Sequence, residues 1–310
     1  MAADWYYKVS SAWKLVNEAY FKTGGAWKEI QEGYIKVGGA WKQFYTSFVA
    51  TAFTTATANT TVTVPDGANA IHIQAAVGAG AAGVTGAEYD KSGGESGGTG
   101  GGSGAYISDK VFSVTEGETL TLTVGPYGAS GPVGSYPNFY ARSGGNTVLS
   151  GSTTGAIFTL EGGVGGSSSG GSSPNGTVRT NLPSAGGSAS ITASPVTSGT
   201  FRESNGATVT FATATTLDDG PLATFNQSGN GVAGTTGVNC SGDNCSIRGQ
   251  TGASSYAGTY SGGNGNPAGG GGSGIDGTRG SGGGGGGGQP QSNGGNGGAG
   301  EIVYRFLQIK

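Results

Sequence analysis

Short runs of alternating polar and apolar residues recur along the chain and predict β-strands. The clearest are TTVTV and AIHIQAAV around a PDG turn, YISDKVFSV and TLTLTV around an EG turn, then NTVL, AIFTL and the terminal EIVYRFLQIK. Alternation with a period of two is typical of strands with one face in the core. In AIHIQAAV we expect the isoleucines to face inward, so that His72 and Gln74 point outward. The pattern predicts a mainly β protein.

A second pattern repeats every fourteen residues at the start of the chain. The segments AWKLVNEAYFKTGG, AWKEIQEGYIKVGG and AWKQFYTSF align Trp13, Trp27 and Trp41, and they also align Tyr20 with Tyr34. Gly-Gly between two alternating runs is a hairpin signal, so we predict a β-hairpin module. Its tryptophans form either the core of the module or an aromatic surface offered to a partner with threefold symmetry.

Glycine dominates the remainder, with 69 of 310 residues, while only 11% of residues are charged and the net charge is −3. Disordered chains usually combine low hydrophobicity with high net charge, and this chain is nearly neutral. Some glycines recur every third position, as in 271–286 and 294–300. An extended helix of the polyproline II type has three residues per turn and no internal hydrogen bonds. Several such helices could therefore bond side by side wherever no Cβ separates them.

The alternative for the glycine tracts is a flexible linker, as Gly/Ser-rich sequences commonly are. The run of seven glycines at 282–288 is followed, after twelve further residues, by a ten-residue predicted strand at the chain end. A linker in that position would lead to no further domain. We therefore favour ordered glycine segments that run through the body and return to the sheet.

Composition and motifs also exclude several classes of function. A pI near 5.2 argues against nucleic acid as a partner, because phosphate binding needs a basic surface. No apolar run approaches the ~20 residues of a membrane-spanning helix, and no secretory signal opens the chain. GAGAAG at 78–83 matches a dinucleotide-binding fingerprint, but the glycine-rich sequence after it cannot form the required helix. No cofactor is expected.

The residues suited to catalysis or metal binding are few. His72 is the single histidine, so neither a histidine-based triad nor a histidine-ligated metal site is expected. Cys240 and Cys245 are too few thiols for a zinc site; they form either a small loop-closing disulfide or two free thiols. We therefore predict no catalytic residues, no metal and no enzymatic activity.

Four features occur in a recognisable order: Thr-rich strands, the segment TVTVPDGANAIHIQAAVGAGAAG, the segment AYISDKVFSVTEGETLTLTVGPYG, and a late glycine tract that ends in GGAGEIVYRF. Together they resemble the glycine-rich domain of bacteriophage tail and receptor-binding proteins. Over residues 50–310, the order of strands and glycine tracts is similar to that of the glycine-rich tail-fibre-tip adhesins of T-even-like phages. The resemblance implies stacked polyglycine II helices, a location in the virion and host-surface binding through loops. The YxKxGGAWK-type repeat resembles a segment common in phage tail proteins, which implies attachment to the virion.

The expected architecture is therefore an N-terminal β-hairpin repeat module followed by a β-framed bundle of polyglycine II helices. We divide it into a virion-attachment module at 1–50, a β framework with the first glycine tract at 51–160, and a glycine-rich body with recognition loops and a closing strand at 161–310. Residues 1–50 would dock to another phage tail or fibre protein, for which a homotrimer is one candidate, through Trp13, Trp27, Trp41, Tyr20 and Tyr34. The particle would be assembled in the host cytoplasm and exposed outside the cell.

Receptor binding is expected on loops between glycine segments, because tyrosine with Ser, Gly and Asn is typical of adaptable recognition surfaces. The same aromatic residues could instead pack locally. A further insert at 201–231 contains the alternating run TVTFATAT and predicts a β-hairpin arm. The candidate residues for a bacterial surface protein or polysaccharide are Tyr89, Asp90, Tyr127, Tyr136, Phe139, Tyr140, Arg142, Tyr256 and Tyr260.

Two other functions remain open from the sequence. One is a purely structural part of the virion, such as a tail or decoration protein, which would bind no host cell. The other is a polysaccharide depolymerase, which would need paired carboxylates roughly 5–10 Å apart. Binding of the isolated protein to cells and release of sugar from host polysaccharide separate these alternatives from an adhesin.

Overall fold

The structure is a computed structural model that describes residues 6–9, 12–15, 20–30, 32–46, 48–84, 95–96, 98–130, 138–169, 184–212, 227–229, 233, 239–240, 252–254, 277, 280–281 and 293–310. Within these residues the secondary structure consists of β-strands, turns and extended segments, with no helix. A helix long and apolar enough to cross a membrane is accordingly not found in the described part of the chain. The prediction of a mainly β protein is confirmed.

The predicted runs form strands, and several short strands that the sequence did not predict occur besides them. The N-terminal strands are β1 (Tyr6–Val9), β2 (Ala12–Leu15), β3 (Tyr20–Thr23), β4 (Ala26–Glu29), β5 (Glu32–Val37) and β6 (Ala40–Thr46). Next come β7 (Thr54–Ala56), β8 (Thr60–Thr63), β9 (Ala70–Val77), β10 (Glu95–Ser96), β11 (Tyr106–Ser113), β12 (Thr119–Thr123), β13 (Asn138–Tyr140), β14 (Thr147–Gly151) and β15 (Gly155–Leu160). The last are β16 (Ser167–Ser169), β17 (Ala189–Ile191), β18 (Pro195–Val196), β19 (Ser198–Arg202), β20 (Thr208–Ala212), β21 (Gln227–Gly229), β22 (Asn239–Cys240) and β23 (Glu301–Leu307).

Two larger antiparallel sheets frame the body. The first sheet has the order β18-β11-β9-β23-β7, and β21 pairs with another part of β11. The second sheet has the order β17-β15-β14-β12-β8. The terminal strand β23 lies between β9 and β7, so the end of the chain completes the first sheet.

The main hydrophobic core lies between these two sheets. Ile71, Ile73 and Phe112 from the first sheet form one buried cluster with Leu149 and Phe158 from the second. The rings of Phe112 and Phe158 have centroids 6.1 Å apart. This packing is the arrangement of a β-sandwich, in which the inner faces of two sheets fill one core.

The first sheet is also covered on its other face. The β19–β20 hairpin lies there, and Phe201 and Phe211 form a second buried cluster with Val111 and Leu307. The sequence predicts a hairpin arm within 201–231; the observed hairpin spans 198–212, and residues 213–226 and 230–231 of the predicted insert lie outside the described residues. The expectation that His72 faces solvent is wrong: its side chain is fully buried, because the hairpin covers the face that alternation assigns to solvent.

The N-terminal repeats form the predicted hairpins, each a separate two-stranded sheet. Gly38 and Gly39 connect β5 and β6 with φ of 61° and 86°. Two successive positive φ angles are typical of the type I′ turn that suits a two-residue hairpin loop, and glycine adopts them without strain. The same turn recurs at Gly24 and Gly25.

Candidate functional site

Extended segments outside the β-strands pack against one another beside the sheets. Residues 79–84 form the central segment, and their amides turn successively to three neighbours. The amides of Ala79 and Ala82 donate to the carbonyls of Gly145 and Arg142 on the first neighbour. Those of Gly80 and Gly83 donate to Gly298 and Gly295 on the second, and those of Ala81 and Val84 donate to Gly102 and Thr99 on the third. All six donor–acceptor distances are 2.8–3.1 Å. Donors three residues apart thus bond the same neighbour, so the hydrogen-bond direction repeats every three residues. In each pair the acceptor number falls by three as the donor number rises by three, so the neighbours run antiparallel.

The glycines of the last segment show why side chains are missing at these positions. A Cβ on Gly294 would overlap the carbonyl of Gly83, and one on Gly297 would overlap the carbonyl of Gly80. The residues of this segment that carry side chains recur at the same spacing and are Asn293, Asn296 and Ala299, which are exposed or partly exposed. The period of three found in the sequence therefore separates faces that touch another backbone from a face that does not.

The described neighbours of residues 79–84 surround them on all sides by backbone contact. Most of the contacting glycines would place a Cβ within overlap distance of backbone atoms rather than of a flexible side chain. The neighbouring segments lie at 98–105, 125–130, 141–146, 161–166, 280–281 and 293–300. Since backbone atoms are in contact, replacement of these glycines requires the segments to move apart.

The segments have a sheet end and a loop end. At the sheet end, Gly78 bonds Ala105 and Gly300 bonds Gly125, next to strands β9, β11, β12 and β23. At the loop end, Val84 bonds Thr99 and Ala141 bonds Gly166. From the loop end the chain continues into, or returns from, residues 85–94, 131–137, 170–183 and 282–292, which lie outside the described residues.

Three of the predicted receptor-binding residues lie on adjacent segments. Tyr127 and Tyr140 are each 51% exposed, and Arg142 is exposed as well. Gly128, next to Tyr127, is so close to the carbonyl of Arg142 that a Cβ there would overlap it. Two phenol rings and a guanidinium group are thus carried by two touching backbones, with Tyr140 and Arg142 nearer the loop end than Tyr127.

The other predicted site residues are not placed together by the structure. Tyr89, Asp90, Tyr136, Tyr256, Tyr260 and Cys245 lie outside the described residues. Phe139 and Cys240 are described by their backbone only, in β13 and β22, where Cys240 pairs with Glu95. The disulfide between the two cysteines stays a prediction.

The predicted docking residues of the hairpin module are described in part. Trp41 is 69% exposed and Tyr34 is 49% exposed, so neither belongs to a core of the described module. The ring of Trp41 lies opposite Lys36, whose Nζ is 6.0 Å from the ring centroid. For Trp13, Trp27 and Tyr20 only the backbone is described; Lys8 pairs with Trp13 and Lys22 with Trp27 as Lys36 does with Trp41.

A buried polar chain, which we call the relay, was missed by sequence reasoning. It consists of Asp109, His72, Arg305 and Glu203. Asp109 Oδ1 is 2.6 Å from His72 Nε2, Arg305 Nε donates to His72 Nδ1 at 3.1 Å, and Arg305 Nη1 donates to Glu203 Oε2 at 2.9 Å. The guanidinium carbon lies 4.4 Å from the centroid of the Phe53 ring and 5.2 Å from that of Phe201.

The relay fixes the protonation state of the imidazole. A guanidinium group can only donate, so Nδ1 of His72 must accept and carries no proton. A neutral imidazole then holds its proton on Nε2 and donates it to Asp109. Both ring nitrogens are engaged, so His72 is not arranged as a general base for an external substrate. Asp109 has a φ of 48°, which is uncommon for a residue other than glycine and marks a local strain in β11.

Glu118 forms a second buried polar centre, in the turn between β11 and β12. Its carboxylate accepts hydrogen bonds from the amides of Thr115, Thr153 and Thr154 and from the hydroxyl of Thr154. Burial raises the pKa of Glu118, but the hydrogen bonds from Thr154, Thr115 and Thr153 outweigh it and hold the pKa below its ordinary value. The ionised carboxylate thus ties two turns together.

Comparison with known proteins supports an assignment to a family. A search of curated proteins finds no match to the chain. The family model described as a glycine-rich domain matches residues 54–307. That match begins at β7 and ends at β23, so it covers both sheets and the glycine segments beside them. The chain belongs to the glycine-rich domain family.

Proposed function

We propose that the chain is a bacteriophage tail-fibre-tip adhesin, in which a bundle of polyglycine II helices holds the loops that bind a receptor on the host cell. The observation that carries the proposal is the threefold rotation of hydrogen bonds along residues 79–84, where donors three residues apart bond the same neighbour. A helix with three residues per turn and no internal hydrogen bonds would direct its amides in this way.

A bundle of this kind suits the task of an adhesin. Its backbones are held by hydrogen bonds on several sides and are too close for side chains, so the loops at its end start from fixed positions. Rigid scaffolds that present variable loops are a common solution for recognition. Tyr140 and Arg142 supply an aromatic group and a cation toward that end, and Tyr127 adds an exposed aromatic group on the adjacent segment.

The hairpin module would provide attachment to the virion. A two-stranded hairpin alone is marginally stable in water, so three such hairpins would gain stability from a partner surface. Trp41 and Tyr34 are the described members of that surface. The partner would be another phage tail or fibre protein, and a homotrimer would suit three equivalent hairpins. The protein would then be a virion component without enzymatic activity.

Binding of the purified full-length chain to bacteria tests this function. A fluorescently labelled protein is expected to bind at least one susceptible strain in a saturable way, and unlabelled protein should compete. Treatment of the cells with protease or with periodate distinguishes a protein receptor from a polysaccharide. No binding to any susceptible strain would contradict the adhesin and favour a structural virion protein, and release of sugar would favour a depolymerase.

A further inference from the structure

The relay joins residues from four strands or strand ends that are distant in sequence. His72 lies in β9, Asp109 in β11, Arg305 in β23 and Glu203 directly after β19. We propose that the relay is an acid-sensitive latch: uptake of a proton by His72 releases Arg305 and frees the β19–β20 hairpin from the first sheet. This inference is independent of receptor binding by the loops.

In the closed state Arg305 is the link between the sheet and the hairpin. Its guanidinium group bonds His72 in the sheet on one side and Glu203 of the hairpin on the other. The Phe53 and Phe201 rings lie close to the guanidinium carbon, at distances within the range of cation–π contacts. Arg305 is only 6% exposed, so its charge depends on these partners rather than on water.

A proton on Nδ1 of His72 is incompatible with this arrangement. The imidazolium would carry N–H groups on both ring nitrogens, and the Nδ1–H would face the Nε–H of Arg305. Two donors cannot bond each other, and two buried cations at hydrogen-bond distance repel strongly. Arg305 must therefore withdraw, and with it go its ion pair with Glu203 and its contact with Phe201.

The charged groups around His72 make the open state accessible. Asp109 faces Nε2 and keeps its contact when the imidazole becomes positive. Glu203 adds a second negative group, while Arg202 is directed to the carbonyl of Gly206 in the hairpin turn. Lys110 pairs in register with Ile73, which belongs to the main core. Lys110 therefore lies on the core face of the sheet, opposite to the face that carries His72. The ion pair between Asp109 and a charged His72 thus offsets part of the free energy lost when Arg305 withdraws.

Opening would expose a defined apolar surface. Phe201 and Phe211 are 2% and 1% exposed in the closed state, where they cover Val111 and Leu307. The backbones of Thr200 and Lys310 also bond each other in both directions, so the hairpin holds the end of the chain. Release of the hairpin would loosen the last residues along with it.

The single histidine of the chain allows a direct test. Imidazole ¹⁵N signals of the full-length protein are recorded from pH 8 to pH 5, and amide hydrogen exchange of 198–212 is measured over the same range with correction for intrinsic rates. Because the open state binds one proton more, the opening constant is expected to rise by up to about tenfold per pH unit where His72 titrates. Amides of β14 and β15 serve as the internal control and should stay protected.

Two variants separate the latch from general acid destabilisation. His72→Gln can donate and accept hydrogen bonds but takes no proton, so protection of 198–212 should become independent of pH. Arg305→Met removes the opposing cation, so the imidazole should titrate without any accompanying change in protection. The proposal is overturned if the wild-type imidazole titrates while 198–212 stays protected, if His72→Gln loses protection at the same pH as the wild type, or if neither change occurs down to pH 5.

Discussion

The amide nitrogen of Gly80 lies 2.8 Å from the carbonyl oxygen of Gly298, although the two residues belong to opposite ends of the glycine-rich region. A Cβ on Gly297, the next residue, would overlap the carbonyl of Gly80. Hydrogen bonding and contact therefore depend on the same short distance between backbones. Glycine at these positions is a requirement of packing, and side chains are excluded by neighbouring main-chain atoms.

The first prediction concerns the stability of this packing. Gly297→Ala is expected to lower the free energy of unfolding by about 3 kcal/mol, the upper part of the range for overpacked sites, because the neighbouring carbonyls cannot rotate away. Gly155→Ala is the control: no atom lies within 4 Å of its added methyl group, and only its φ of 79° is unfavourable. It should cost about 1 kcal/mol. Equal losses of stability in the two variants, measured by denaturant unfolding, would contradict the packing argument.

The second prediction concerns hydrogen exchange in the glycine segments. The amides of Gly80, Gly83 and Gly298 donate to other backbones and should be protected as strongly as those of β9. The glycines of the exposed hairpin turns at 24–25 and 38–39 should exchange much faster. Two-dimensional NMR of the full-length chain measures both sets at once. Exchange of Gly80 at the rate of an unstructured peptide would refute the proposed helix bundle.

The hairpins and the framework strands could be predicted from the sequence because their signals are local. Alternation and Gly-Gly turns depend on neighbouring residues, and Gly38 and Gly39 have the positive φ angles that the turn requires. The period of three at Gly294 and Gly297 also indicated a face without side chains. Which segment this face meets could not be predicted, because glycines have no side chain to encode a partner.

The orientation of His72 could not be inferred from alternation, because it depends on a hairpin more than a hundred residues away. Phe201 and Phe211 cover the face of β9 that an isolated sandwich would expose. One signal was available: AIHIQAAV has only two polar residues, and nearly continuous apolar strands are typical of sheets covered on both faces. Arg305 and Asp109 carried no comparable signal as partners of His72.

The third prediction concerns the pH dependence of stability. The pKa of Glu118 is lower in the folded protein than its ordinary value, so its hydrogen bonds stabilise the fold above the unfolded pKa and are lost as pH falls through the folded pKa. Glu118→Gln should therefore lower stability at pH 7 by about 1–3 kcal/mol and flatten the loss of stability at acid pH.

Glu116 provides the matched control for this experiment. It lies two residues away in the same turn and is exposed, so Glu116→Gln should leave both the stability at pH 7 and its acid dependence nearly unchanged. Unfolding in denaturant at several pH values between 3 and 7 measures both variants. If Glu118→Gln kept the full acid dependence of the wild type, the turn carboxylate would not be its source.

The fourth prediction concerns the adjacent residues at the loop end. If Tyr140 and Arg142 contact the receptor, Tyr140→Ala and Arg142→Ala should each weaken cell binding by about tenfold or more, since aromatic and arginine side chains dominate binding energies at interfaces. Both are exposed, so thermal stability should stay close to that of the wild type. Tyr34→Ala, an equally exposed tyrosine of the hairpin module, is the control and should bind cells normally. Loss of binding in all three variants, or in none, would remove these residues from the proposed receptor site. A loss confined to Tyr140→Ala and Arg142→Ala would place the receptor site at the loop end, where residues 140–142 lie next to the glycine segments.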